Sequence, residues 1–483
     1  MLKRIFFLFF LLIPLLHYSQ KQKKKSGKSK KKIVQVTRKK TNNKKKSYQL
    51  NKKKKSHQVL KKKPKPVGPV KIPIDNIPIA KYNKHSRLID SLLRSRHEYF
   101  SPFLANPRRY KIQIIYTQID RDKNNKPNFT QHNYYLDSTN YFYCASLVKL
   151  PVSILCLQKL NQLKVPGLHK NSIMITDSSI ACHRKQKYDG TSANGFPSIA
   201  HHIKKMLLVS DNISYGRTYE FLTPDYIHTE LKKRGYGSMR IMQRFDGRCQ
   251  GTNNFYCNKI DFFNEKNELV YSQPESMAKK NYFKIPGTHR IGSSYLNEKN
   301  KRIRSFRDMS DKNYLHLQQI NDILKWLVFY EYAPESKKFN ISESDRDFLL
   351  KYMSMYPRES EYPKYSKDYV DAHKKYLIHG GTRDSITNDS QRIFNIVGLS
   401  LGCMIDCAYI VDFEKGTEFM LSAIVYANSD DIVNDGNYEY YSVGFPYLNH
   451  LGDLFLNYEN QRKKKFMPDL REFEPKNLYP LSD

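Results

Sequence analysis

Residues 21–65 hold 21 Lys, one Arg and no acidic residue, and this stretch limits where the chain can fold. A segment so dense in one sign of charge cannot bury enough apolar surface to offset its conformational entropy, so it is expected to be disordered. Of the formal net charge of +37, +22 lies here, +2 on Lys3 and Arg4, and +13 on the rest. The compact part of the chain must therefore be built from the residues C-terminal to this stretch, which are only moderately basic. Pro64, Pro66, Pro69 and Pro73 mark an extended approach to it. Hydrophobic residues make up 39% of the 483-residue chain, enough for a substantial core.

Lys3 and Arg4 precede an apolar run from Ile5 to Leu16, which has the length of a signal-peptide core and falls short of a ~20-residue membrane span. Ser19-Gln20 offers a small-residue cleavage zone. The expected organisation is a secretory signal over 1–20, a Lys-rich linker over 21–75 and one folded domain over 76–483. The protein is then exported, to a bacterial periplasm or cell envelope. The basic tail is expected to contact anionic envelope polymers or lipid. Export separates it from nucleic acid, so no specific nucleic-acid partner is expected.

The seven cysteines cannot all pair within one chain. Cys249 and Cys257 are close enough in sequence to bridge a local loop. Cys403 and Cys407 need further ligands to hold a metal, and Cys182-His183 and His201-His202 are isolated pairs. No metal and no cofactor is expected on this spacing.

Apolar periodicity predicts a helix over 83–100, then strands over 110–119 and 128–136 joined by a turn at 122–127. Helices are predicted over 147–163, over the stretch before Ser210, from Thr223 to Gly235 with Thr223 as N-cap, and over 314–332. A hairpin is predicted from 260–263 and 269–272. Three strands are predicted near the C-terminus, at 393–398, 408–413 and 419–426, with a turn at 414–417, and a closing helix spans 443–464. Strands at both ends with helices between them predict an α+β fold: one antiparallel sheet assembled from both chain ends, with a helical region inserted.

Ser146 and Lys149 lie three apart at the start of a predicted helix, so both project from one face. A serine hydroxyl needs a base within hydrogen-bond reach to become a nucleophile, and a lysine serves once burial or a neighbouring cation lowers its pKa. Backbone N–H groups at a helix start can hold a developing oxyanion. The spacing alone says little, since so lysine-rich a chain holds about four or five S-x-x-K matches by chance. Ser210-Asp211-Asn212, after an amphipathic helix, adds weight, because it offers a hydroxyl to relay a proton and an amide to bind a carbonyl.

Ala145-Ser146-Leu147-Val148-Lys149-Leu150-Pro151 and Leu207-Leu208-Val209-Ser210-Asp211-Asn212 resemble the first two motifs of the class A β-lactamases and penicillin-binding proteins. The resemblance runs over about residues 80–465, in element order as well as in motifs. It implies Ser146 as the acyl-forming nucleophile, Lys149 as its base, Ser210 as proton relay and Asn212 as a substrate-binding group. The substrate implied is a β-lactam, a peptidoglycan-like peptide or a related small amide.

Two departures bear on function. Where the family carries K-T-G on the strand before the last hairpin, this chain has Ile396-Val397-Gly398. Gly398 permits close approach of substrate, whereas Ile396 and Val397 replace the lysine and the hydroxyl. Arg392 and His379 are the nearest alternative sources of positive charge. The family's E-x-x-L-N loop is also missing. Asp246 is a poor substitute, and Glu265 and Glu268 fall on the exposed hairpin. These departures motivate an alternative: a protein of this fold that binds or senses cell-wall ligands without efficient turnover.

Overall fold

The protein is described by a computed structural model over residues 70–71, 85–245, 247–282 and 289–479. The predicted signal, nearly all of the Lys-rich linker and Asp246 lie outside the described residues. Val70–Lys71, placed by the sequence in the linker, pairs in parallel with Lys280–Asn281, so regular structure begins before residue 76.

The predicted first helix is two helices, α1 (Arg87–Ser95) and α2 (His97–Ala105), broken at Arg96. They lead into β1 (Gln113–Arg121) and β2 (Pro127–Tyr134). Next comes a helical and irregular region. It contains α3 (Lys149–Leu163), a short strand β3 (Ile173–Thr176), α4 (Ile199–Val209), α5 (Asn212–Leu222) and α6 (Pro224–Lys233). The predicted hairpin is present as β4 (Ile260–Phe263) and β5 (Leu269–Gln273), and β3 joins it to make three strands. After α7 (Leu317–Val328) and α8 (Glu343–Ser354), the chain returns through β6 (Gln391–Ser400), β7 (Cys403–Asp412) and β8 (Thr417–Tyr426), and closes with α9 (Phe445–Gln461).

The main sheet has the order β6-β7-β8-β1-β2 and is antiparallel throughout. The two ends of the chain meet where β8 pairs with β1, with Leu421 opposite Tyr116. The fold is thus α+β, with the sheet built from both ends and a helical region inserted.

Every residue of β7 and of β8 is buried, because helices cover both faces of the sheet. Alternate residues feed two cores. Cys407, Tyr409 and Val411 pack with the helices of the inserted region, while Ala408 and Ile410 pack with residues of α1, α2 and α9. Such strands read as continuous apolar runs and not as alternating ones.

Some of the polar groups trapped in this interior are paired, and the strongest case is an ion pair. Arg121 grips Glu418 with two N–H groups, at 2.5 and 2.8 Å, and Tyr409 donates its hydroxyl to the same carboxylate at 2.8 Å. Both charged side chains are nearly inaccessible, at 2% and 1%. Removing one partner strands the other charge, so Glu418→Ala should lower unfolding free energy by about 3–5 kcal/mol. Arg121→Met with Glu418→Leu should lose far less. Urea denaturation of both variants decides this, and equal losses would show that the ion pair itself stabilises the sheet.

Candidate active site

Ser146 reaches its position through an uncommon backbone. Ala145 has φ of +46°, in the left-handed region that costs a non-glycine residue on the order of 1–3 kcal/mol. The chain then makes a 3-10 turn over Ala145–Val148 that runs into α3 at Lys149. Pro151 falls in the first turn of α3, where loss of one backbone donor is tolerated.

The edge strand β6 presses against this turn. A Cβ at Gly398 would stand 2.7 Å from the Cys144 carbonyl oxygen and 3.3 Å from Leu147. Only glycine allows that approach. Ile396 and Val397, expected from the sequence to bind substrate, are instead packed into the two opposite cores, with 0% and 2% exposure. Their side chains serve packing, and β6 can offer a substrate only its backbone there.

Ser210-Asp211-Asn212 is a corner between two helices, the second of which, α5, the residue pattern did not reveal. Ser210 ends α4 with φ of +59° and donates its N–H to Met206 at 3.1 Å. Asp211 caps α5 by accepting the Ser214 N–H at 2.6 Å, and Asn212 is the first residue of α5. Thr223, predicted to cap α6, makes no side-chain capping bond.

This corner and the Ser146 turn converge on Lys149. Its Nζ is 2.9 Å from Ser146 Oγ, 2.8 Å from Ser210 Oγ, 2.8 Å from Asn212 Oδ1 and 2.5 Å from the Ser210 carbonyl oxygen. Ser210 Oγ is 2.8 Å from Ser146 Oγ, so the two hydroxyls and the amine form a closed triangle.

The donor count decides what this triangle can do. A neutral amine has two protons and one lone pair. The Ser210 carbonyl and Asn212 Oδ1 can only accept, so they take both protons. The lone pair then faces the two hydroxyls, the only donors left to it among its described partners. Lys149 is fully buried, and burial together with the charge of Lys374 holds its pKa well below the ordinary lysine value. The ring of Phe245, its centroid 5.4 Å from Nζ, supplies part of the apolar wall. The site can accept a proton from Ser146 and pass it through Ser210.

Lys374 lies beside the site, and no sequence motif marks it. Its Nζ donates to the carbonyls of Leu207 at 2.5 Å and Met206 at 3.4 Å, in the last turn of α4, whose end is Ser210. Burial pushes its pKa down to about 7, against the pull of Asp406. Neighbouring Lys375 donates to Ile393 at 2.7 Å and Asn395 Oδ1 at 2.8 Å, which fastens this segment to β6. The cation expected near the third motif is thus neither Arg392 nor His379. Arg392 is engaged by Glu359 at 3.0 Å, and burial pushes His379 down to about 4, leaving it neutral.

Glu265 and Glu268 are exposed on the β4–β5 hairpin as expected. Among the described residues no carboxylate is hydrogen-bonded to Ser146, Lys149 or Ser210. Cys249 and Cys257, close enough in sequence to bridge a local loop, do not pair with each other. Cys249 pairs with Cys182, and Cys257 is free and buried. Cys403 and Cys407 are also free and buried.

No protein-family model matches the chain, and no curated protein matches it. Among solved structures it is similar to a β-lactamase from Chitinophaga pinensis, at TM-score 0.40 and 12% identity over 76% of this chain and 99% of that one. A class A β-lactamase from Clostridium kluyveri gives TM-score 0.41 and 12% identity, over 75% and 98% of the two chains. One from Mycobacterium abscessus gives 0.38 and 12%, over 76% and 98%.

Two outcomes test the site. Gly398→Ala should push the Ser146 turn aside, and a shift near 1 Å costs about 10²-fold in rate. Fluorophosphonate labelling of Ser146 should fall accordingly, and the unfolding midpoint should fall too, since the added Cβ meets backbone. Lys374→Met removes the positive charge that Lys374 carries below about pH 7 beside Lys149, so in that range the Lys149 pKa rises. The limb of the labelling rate that climbs with pH should move to higher pH. An unmoved limb would remove Lys374 from the site.

Proposed function

We propose that the chain is an exported serine hydrolase or acyltransferase that works through an acyl-enzyme on Ser146. Its substrate would be a β-lactam or a related peptidoglycan-type amide. The Lys149 amine, buried and turned toward two hydroxyls by two carbonyl acceptors, carries this reading. Neutral Lys149 takes the Ser146 proton as Oγ bonds to the substrate carbonyl carbon. The oxyanion is met by backbone N–H groups at the helix start. Collapse breaks the C–N bond, and Ser210 passes the proton from Lys149 to the leaving nitrogen. The edge of β6 would align the substrate backbone as an added strand.

A second reading is favoured by one observation, the lack of a carboxylate hydrogen-bonded at the site among the described residues. General-base assistance is typically worth about 10²–10⁴-fold, so the acyl-enzyme would persist and the protein would act as a slow sensor of cell-wall ligands. On either reading, residues 21–65 would tether the domain to anionic lipid or polymer.

A fluorescent penicillin tests both. Labelling should appear in the parent and vanish in Ser146→Ala, and Lys149→Ala should slow it by at least about 10²-fold. Rapid loss of label would indicate a hydrolase, and a label stable for hours a sensor. If neither penicillin nor fluorophosphonate labels in a Ser146-dependent way, the acyl-enzyme is wrong. Deleting 21–65 should abolish capture on anionic vesicles and leave labelling intact.

A further inference from the structure

A disulfide joins Cys182 to Cys249 across 67 residues, with Cα atoms 5.3 Å apart. His183 comes directly after Cys182, and one ring nitrogen and the two sulphurs all lie within 4.8 Å of one another. The imidazole is held from behind. Its Nδ1 is 2.8 Å from Asn258 Oδ1, and Asn258 donates its own amide N–H to Glu220 Oε2 at 2.7 Å. Asn258 Oδ1 also accepts the Ser179 N–H at 2.9 Å.

An amide oxygen only accepts, so the Nδ1 of His183 carries the proton and Nε2 carries the lone pair. His183 Nε2 is buried and has no hydrogen-bond partner. A buried nitrogen left without a partner costs about 1–3 kcal/mol, and its lone pair is free to take a ligand. An imidazole whose Nδ1–H is fixed by an acceptor, itself fixed by a carboxylate, is arranged as metal-binding imidazoles are. Asn258 and Glu220 are themselves buried, so this support is rigid.

We propose that Cys182, His183 and Cys249 form a redox-gated site for a borderline-soft divalent cation of the Zn²⁺ class. As the disulfide the site is closed. A dithiol reductant opens it: its thiolate attacks one sulphur, the S–S bond breaks, and the reductant leaves as its own disulfide. Two electrons and two protons remain on the cysteine pair. Zn²⁺ then displaces the two thiol protons, forming two Zn–S bonds and one Zn–N bond to His183, with water as fourth ligand. Two thiolates and a neutral imidazole balance the charge of the ion. A tetrahedral ion with Zn–S near 2.3 Å holds its two sulphurs roughly 3.8 Å apart, within reach of two Cα atoms this close. Nothing in this proposal depends on the reaction at Ser146.

The full chain is reduced with a water-soluble phosphine, freed of it, and titrated with Zn²⁺ against a chromophoric chelator. Co²⁺ in place of Zn²⁺ gives a sulphur-to-metal charge-transfer band. The expected result is one ion per reduced chain beyond that taken up by Cys182→Ser/Cys249→Ser, and none by the oxidised parent. His183→Ala should weaken binding at least about tenfold, as loss of a ligand should do at least what loss of an outer-shell partner does. Equal uptake by the reduced parent and the double serine variant overturns the proposal. So does an unchanged affinity in His183→Ala. Loss of near-ultraviolet circular dichroism on reduction, without uptake, also overturns it, since the fold must hold the three donors once the bond is open.

Discussion

A lysine in a protein interior is costly as an ammonium, and Lys149 is placed where that cost becomes useful. Two carbonyl acceptors consume the protons of its neutral form, and two hydroxyls receive the lone pair. The remaining features of the site keep this one nitrogen dry and correctly surrounded. Ala145 holds a strained turn so that Ser146 comes within reach. Asp211 ties the start of α5, which fixes Asn212. Lys374 anchors the end of α4 and adds the positive charge that disfavours a second one on Lys149.

The sheet makes that arrangement possible because its edge is close to the nucleophile. Helices cover both faces of β7 and β8, and the strand order puts β6 at an edge of the sheet. Gly398 brings this edge against the Ser146 turn, and Lys375 fastens the neighbouring segment to it. Ion pairs such as Arg121–Glu418 neutralise charge that the two cores would otherwise leave stranded.

Much of this was legible in the residues. The strands near both ends, the hairpin turn at 414–417 and the closing helix announce themselves by apolar runs and turn chemistry. The break at Arg96 was not visible, because neither Gly nor Pro marks it. α5 was hidden behind Ser210-Asp211-Asn212, whose residues favour a turn as strongly as a helix start. Lys374 could not be singled out by composition, since Lys and Arg together number 83. Ile396 and Val397 were read by their place in a motif, whereas their burial depends on helices distant in sequence.

The amino-acid sequence alone determined that the folded body is α+β and that Ser146, Lys149, Ser210 and Asn212 are candidates to act together. Local rules suffice for that: periodicity, helix spacing and the chemistry each side chain can perform. Only the tertiary structure decided that Lys149 is buried, that Lys374 and not Arg392 stands near it, and that Cys182 pairs with Cys249. Each of these depends on which distant segments share a dry interior, and desolvation, unlike periodicity, is a property of the packed whole.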